Sequence, residues 1–255
     1  MEKPIALRNK RGKQLVGILH LPKGNKKWPL VIVCHGFAGI KTGSGGKYVK
    51  LARKLENKKI ACFRFDFEGC GDSEGDLEGV TVKRCLSDLE SVMKWILIQR
   101  NINKDKIAFL GSSFGAIIAT LFLIKAKFPI KTLIFWNPAL NQQELLPTWY
   151  TKKDLKEWKK QGYIVRKENK ISTKYLKENE KKDYSLILSN ISTPILIIHG
   201  KKDEVVPVRF SKKLSTKYKN IQLKIYSGAD HKFEDYYIQK RLVKDTVNWF
   251  LKLLK

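Results

Sequence analysis

The segment Gly111-Ser112-Ser113-Phe114-Gly115 sets a serine between two glycines in the pattern G-x-S-x-G. The residues before it, Lys106-Ile-Ala-Phe-Leu, read as a strand, and those after it, Ala116-Ile-Ile-Ala-Thr-Leu-Phe-Leu, read as a helix. A turn that tight from strand into helix leaves no space for bulky neighbours, and Gly111 and Gly115 meet that need. Ser113 is then expected in a strained conformation, its hydroxyl pointing outward and the positive end of the helix aimed at the site. Ser112 fails as a nucleophile because no glycine lies two residues before it.

A serine hydroxyl needs a base to attack at neutral pH, and the chain has only four histidines. His20 sits on an early strand run. His35 and His199 each end a buried strand and precede a glycine, positions that orient loops. His231, in Gly228-Ala-Asp-His-Lys-Phe, follows the last strand and precedes the final helix. A loop there reaches the same sheet edge as Ser113, because parallel strands place their C-terminal ends together. His231 is therefore the candidate base. The third member should be a carboxylate that fixes the imidazole tautomer. Asp203, in His199-Gly-Lys-Lys-Asp-Glu-Val-Val-Pro207, comes directly after a buried strand, with Glu204 as its neighbouring rival. Asp230 adjoins His231 too closely to reach its Nδ1, and Asn137, after an earlier strand, cannot carry the charge. Two N–H donors are needed for an oxyanion. Phe114, which follows the nucleophile, offers one, and the loop His35-Gly36-Phe37 offers the other through Phe37.

The elements that must position these groups alternate. Strands are expected over 14–21, 30–35, 60–66, 106–111, 131–136, 195–199 and 222–226, and helices over 47–55, 80–99, 114–126, 207–218 and 235–254. Strands as continuously apolar as Leu30-Val-Ile-Val-Cys and Ile195-Leu-Ile-Ile mark a parallel sheet covered on both faces. Alternation of strand and helix implies α/β architecture. One stretch breaks the rhythm. Residues 138–190, rich in Lys, Glu, Trp and Tyr, read as a mostly helical insertion over one end of the sheet. Trp149, Tyr150, Trp158 and Tyr163 there are candidates to line an aromatic-tolerant pocket.

At 255 residues the chain suits one domain carrying that insertion. No apolar run approaches the ~20 residues a membrane span needs, and the first residues lack the apolar core of a signal peptide. A soluble cytoplasmic protein is the expectation, with a homodimer left open. Lys and Arg number 51 against 24 Asp and Glu, a formal charge of +27. The lysines are scattered through every segment, so specific nucleic-acid binding is not expected, although the excess could bias substrate choice toward anions. Cys34, Cys62, Cys70 and Cys85 form no C-x-x-C pair and have no histidine at zinc-ligand spacing, so neither a metal nor a disulfide framework is expected.

These residues together resemble the α/β-hydrolase superfamily. The likeness runs through His35-Gly-Phe, Phe65-Asp-Phe-Glu-Gly-Cys-Gly-Asp-Ser73, Gly111–Gly115, His199-Gly-Lys-Lys-Asp203 with Val206-Pro207, and Gly228-Ala-Asp-His231. Within the superfamily the chain is most similar to small carboxylesterases of the cinnamoyl/feruloyl-esterase kind and to serine aminopeptidase-like hydrolases. The resemblance implies a mostly parallel sheet flanked by helices with a helical cap, the triad Ser113, Asp203 and His231, and oxyanion donors at Phe37 and Phe114. It implies hydrolysis of a small-molecule carboxylic ester through an acyl-enzyme, with no cofactor. Ser112 departs from the commoner His or Gln, and the insertion matches no known lid. Asp66, Asp72 and Ser73 read as braces of a turn. An amidase or aminopeptidase with the same triad, or a thioesterase, is the alternative. An aminopeptidase would need carboxylates for the substrate amine, and Glu144, Asp154, Glu157, Glu168, Glu178 and Glu180 are available in the insertion.

Overall fold

The computed structural model describes residues 1–166 and 169–255. Its strands are β1 (Glu2–Arg8), β2 (Gln14–His20), β3 (Trp28–Cys34), β4 (Ala61–Phe65), β5 (Ile102–Ser112), β6 (Ile130–Trp136), β7 (Tyr163–Arg166), β8 (Asn169–Ser172), β9 (Ile195–Gly200) and β10 (Ile221–Tyr226). Its helices are α1 (Lys47–Asn57), α2 (Val82–Leu97), α3 (Gly115–Lys125), α4 (Gln142–Trp149), α5 (Lys152–Gln161), α6 (Thr173–Asn179), α7 (Arg209–Lys217) and α8 (Tyr236–Leu254). Eight strands form one sheet in the order β1-β2-β4-β3-β5-β6-β9-β10. Pairing is parallel from β4 through β10 and antiparallel at the β1–β2 and β2–β4 steps.

The unbroken apolar runs follow from coverage on both faces. Val31, Val33, Leu110, Ile134, Trp136 and Ile198 pack with Leu51 and Leu55 of α1 and Leu242 and Phe250 of α8. The alternate residues Leu30, Ile32, Phe109, Phe135 and Ile197 belong to the second core, with Leu89 and Val92 of α2 and Ile117 and Phe122 of α3. Helix α3 is apolar all round because it lies buried on the sheet directly behind the Ser113 turn. The sheet and helices match the α/β class expected from the alternation.

Three features differ from the sequence reading. β1 was not foreseen: Pro4 and the flanking charges hide it, but Pro is tolerated in an edge strand, and β1 pairs with β2 from Glu2 to Arg8. β5 starts earlier than expected, at Ile102, because Ile102 pairs with Trp28 across a register shift. Among the described residues between β6 and β9 lie three helices, a 3-10 segment at Tyr184–Asn190 and, where helix is expected, an antiparallel pair of strands, β7 and β8. Helix α5 is closed by a Thr151–Asp154 capping box and ends at Gly162, whose φ of 83° suits glycine. Glu178 of α6 accepts from the Val82 and Lys83 N–H groups at 2.7 and 2.8 Å, so it caps α2 across the molecule and anchors the excursion. Among the described residues no helix is long and apolar enough to cross a membrane.

Candidate active site

β5 ends at Ser112, and Ser113 adopts φ 52°, a left-handed conformation that few non-glycine residues tolerate. The turn is held on both sides: the Ser113 N–H donates to Trp136 O at 2.8 Å, and its carbonyl accepts from the Ala116 and Ala139 N–H groups at 3.1 and 3.2 Å. A methyl on Gly111 would lie 2.6 Å from Ala116 Cα, and one on Gly115 would collide with the Cys34 carbonyl. Both glycines are thus required by close approach, as the motif predicts.

Ser113 Oγ lies 3.1 Å from His231 Nε2, and His231 Nδ1 lies 2.8 Å from Asp203 Oδ2. A carboxylate only accepts, so the proton sits on Nδ1 and Nε2 is left to accept from the serine hydroxyl. Asp203 is buried after β9, and its second oxygen accepts from the Val205 and Val206 N–H groups at 2.9 and 2.7 Å. Burial alone would raise its pKa; the N–H groups of His199 and His231 outweigh that and hold it at about 2. The imidazole therefore faces a full negative charge throughout the neutral range. The structure thus brings together the three residues that the sequence singled out. Glu204 is exposed and takes no part, and Asp230 accepts instead from the Glu234 N–H.

The other histidines are structural. His199 Nε2 lies 2.8 Å from Val206 O and 3.3 Å from Asp203 Oδ2, so its N–H is shared between them, while Nδ1 accepts from the Ser211 hydroxyl at 2.7 Å. His199 thereby supports the acid as well as its loop. His35 is buried, donates from Nδ1 to Gly36 O and accepts the Phe67 N–H at Nε2; burial lowers its pKa, keeping it neutral. It shapes the turn that carries Phe37. His20 is buried on β2 beside Arg64. Asn137, φ 46°, accepts the Gly200 N–H and donates to the carbonyls of Asp230 and His231, tying β6, β9 and the His231 loop together. Asp66 accepts from the Lys41 and Asp72 N–H groups, and Ser73 Oγ donates to Asp66 O, so these groups brace their turn.

Phe37 and Phe114 flank Ser113, their rings edge to face at 5.7 Å. Their backbone N–H groups donate to no acceptor among the described residues, which leaves both free for an oxyanion. A cavity of about 570 Å³ opens over Ser113, lined among others by Phe37, Phe114, Trp149, Tyr150, Tyr175 and Gln142. Of the four aromatics named from the sequence, Trp149 and Tyr150 line it. Trp158 is buried behind, 4.9 Å from the Tyr150 ring, and Tyr163 packs under Lys170. Tyr175, Gln142 and Lys47 reach the cavity unannounced. Tyr175 was visible only as one of the excursion's aromatics, and Lys47 only as the start of a helix. Among the described residues no Asp or Glu lines the cavity, and no group of His, Cys, Asp and Glu could hold a metal. All four cysteines are free and buried.

A family model described as serine aminopeptidase, S33 (Hydrolase_4) matches residues 25–185, and one described as the dienelactone hydrolase family matches residues 174–250. The chain is 25% identical over 233 residues to the mitochondrial palmitoyl-protein thioesterase ABHD10 of Mus musculus, covering 82% of this chain and 71% of that protein. It is 27% identical over 194 residues to the lysophosphatidylserine lipase ABHD12 of Danio rerio, covering 73% and 46%. The chain spans about half or less of the first curated relatives it matches, from 32% to 56% of their length. The structure of Est1E from Butyrivibrio proteoclasticus with ferulic acid bound superposes with a TM-score of 0.86 at 24% identity, over 98% of both chains.

Proposed function

Since the chain belongs to the serine aminopeptidase S33 family and has the α/β-hydrolase fold, we propose that it cleaves carboxylic esters through an acyl-enzyme on Ser113. The observation that carries this reading is the continuous relay from Ser113 Oγ through His231 to Asp203 at 3.1 and 2.8 Å. In this mechanism Ser113 Oγ attacks the ester carbonyl while His231 Nε2 takes the hydroxyl proton. The oxyanion accepts from the Phe37 and Phe114 N–H groups. His231 returns the proton to the leaving alkoxide, and the alcohol departs. Water, deprotonated by His231, then attacks the acyl carbon; the bond to Ser113 Oγ breaks, His231 returns the proton to Oγ, and the acid departs. Asp203, ionised throughout, stabilises the imidazolium at both steps.

The lining of the cavity favours esters over aminopeptidase substrates. A free α-amine calls for a carboxylate, and none lines the cavity among the described residues. The acidic residues of the excursion are engaged elsewhere: Glu144 with Asn141, Asp154 in the capping box, Glu157 near Lys153, Glu178 on α2 and Glu180 with Lys159. Glu168 lies outside the described residues. A thioesterase is the second reading, supported by the likeness to a palmitoyl-protein thioesterase; it would use the same groups, since a thiolate leaves more readily than an alkoxide. The aromatic walls at Phe37, Trp149, Tyr150 and Tyr175 fit an aryl or long apolar acyl group.

The test is a burst assay with a short-chain p-nitrophenyl ester, run beside a matched thioester and a matched anilide. The wild type is expected to release a stoichiometric burst and to label with a fluorophosphonate probe, and Ser113→Ala to do neither. A burst that survives Ser113→Ala would move the nucleophile elsewhere. Faster turnover of the anilide than of the ester would overturn the ester assignment.

A further inference from the structure

Lys47, the first residue of α1, lines the same cavity as Ser113 although it is 95% buried, with only 5% of its surface exposed. An ammonium has three donors and is normally paired when buried. Lys47 Nζ makes one hydrogen bond among the described residues, to the carbonyl of Lys232 at 2.8 Å, and no ion pair. Its other near neighbours are the faces of Tyr48 and Phe233, 5.6 and 5.9 Å from Nζ. Two carboxylates lie in its surroundings, Asp230 and Glu234, and neither closes on it. Asp230 accepts from the Glu234 N–H, while Glu234 accepts from the Ser44 hydroxyl and pairs with Lys232 at 3.6 Å. The cavity therefore has an under-paired cation in its wall and, among the described residues, no acidic side chain to compete for it.

We propose that Lys47 is a specificity residue for esters carrying a second, anionic group, and that a carboxylate on the substrate completes the pairing this ammonium lacks. The inference rests on the ester-hydrolase reading and narrows its substrate class. An anion seated there would share the cavity with the ester carbonyl at Ser113. The surplus of lysines, 51 Lys and Arg against 24 Asp and Glu, would also raise the encounter rate with such substrates at low salt. Burial lowers the Lys47 pKa to about 8, against the opposing pull of Asp230 and Glu234, while the like charge of Lys232 adds to the lowering. Binding of an anion would restore the charged form.

The experiment compares matched ester pairs, each with and without a carboxylate. On the acyl side these are the p-nitrophenyl monoester of glutaric acid and p-nitrophenyl valerate; on the alcohol side, 4-butyryloxybenzoate and phenyl butyrate. The readout is the ratio of kcat/KM within a pair, which cancels any general effect on the His231 loop that Lys47 also touches. At pH 7 at least one pair is expected to favour the carboxylate by roughly tenfold, the scale of one hydrogen bond to a charged group. Lys47→Met should cut that ratio severalfold and Lys47→Arg should keep it. The ratio should also decline as pH rises through about 8, where Lys47 loses its proton. Ser113-dependent hydrolysis with no carboxylate preference in either pair, or a preference unchanged in Lys47→Met, overturns the inference and leaves the ester reading standing. Absence of Ser113-dependent hydrolysis on all four esters removes the ester reading and this inference with it.

Discussion

Replacing Asp203 by Asn keeps the shape of the side chain and removes its charge, and the geometry leaves the amide no good orientation. One oxygen of Asp203 faces the N–H groups of His231 and His199, and the other faces the N–H groups of Val205 and Val206. Whichever way the amide turns, its NH2 meets two donors. If it faces His231, the imidazole must shift its proton to Nε2 and can no longer accept from Ser113. Turnover should then fall on the order of 10⁴-fold, the scale seen when a triad acid is neutralised in place. Stability falls as well. A carboxyl at about 2 in the folded protein, against roughly 3.9 unfolded, contributes on the order of 2–3 kcal/mol. Because the folded pKa is the lower one, this contribution is complete above about pH 4 and disappears as pH falls from about 4 to about 2. Urea unfolding of both proteins from pH 7 to pH 3, beside p-nitrophenyl ester turnover at pH 7, checks both parts. The gap between wild type and Asp203→Asn should be widest at neutral pH and should narrow on acidification. Turnover within tenfold of wild type, or a stability gap independent of pH, would refute the reasoning.

Glu204→Gln should leave turnover within twofold, since Glu204 is exposed and outside the relay; a loss exceeding that of Asp203→Asn would transfer the acid to Glu204. Gly115→Ala should prevent folding or cost more than about 3 kcal/mol, because its methyl would collide with the Cys34 carbonyl. Gly12→Ala, at φ 76° with open space around it, should cost only about 1 kcal/mol by comparison; equal urea midpoints for the two variants would contradict the close-approach argument. Glu178→Ala should lower stability by about 1–2 kcal/mol through the lost cap on α2; an unchanged melting temperature would show that α6 does not anchor the excursion in this way.

The reactive residues could be read from the sequence because each stands at a local landmark. Ser113 lies between two close-packed glycines, Asp203 follows the unbroken apolar run Ile195-Leu-Ile-Ile, and His231 sits in the loop between the alternating strand Ile221–Tyr226 and the final helix. Parallel pairing then puts their loops on one edge, so order along the chain translates into proximity. What was not legible depends on side-chain and strand contacts, some distant and some local, that no pattern of residue types records. Lys47 lines the cavity and donates to the carbonyl of Lys232, 185 residues away. His199 reaches Asp203 because the turn between them closes on itself, which no hydropathy pattern records. β1, with three charges in seven residues, exists through its pairing with β2, and β7 and β8 are only four residues each and exist through pairing with one another.

Val205 has two attachments that pull in different directions along the chain. Its N–H goes to Asp203, and its carbonyl accepts from the Trp149 indole at 2.7 Å, on the wall of the cavity. One residue thus joins the acid to the wall of the cavity. A guest bulky enough to displace the indole would loosen the grip on the carboxylate, so fit and reactivity are geared together. Remodelling that wall for new guests is constrained at Trp149, and any redesign would do best to spare that indole.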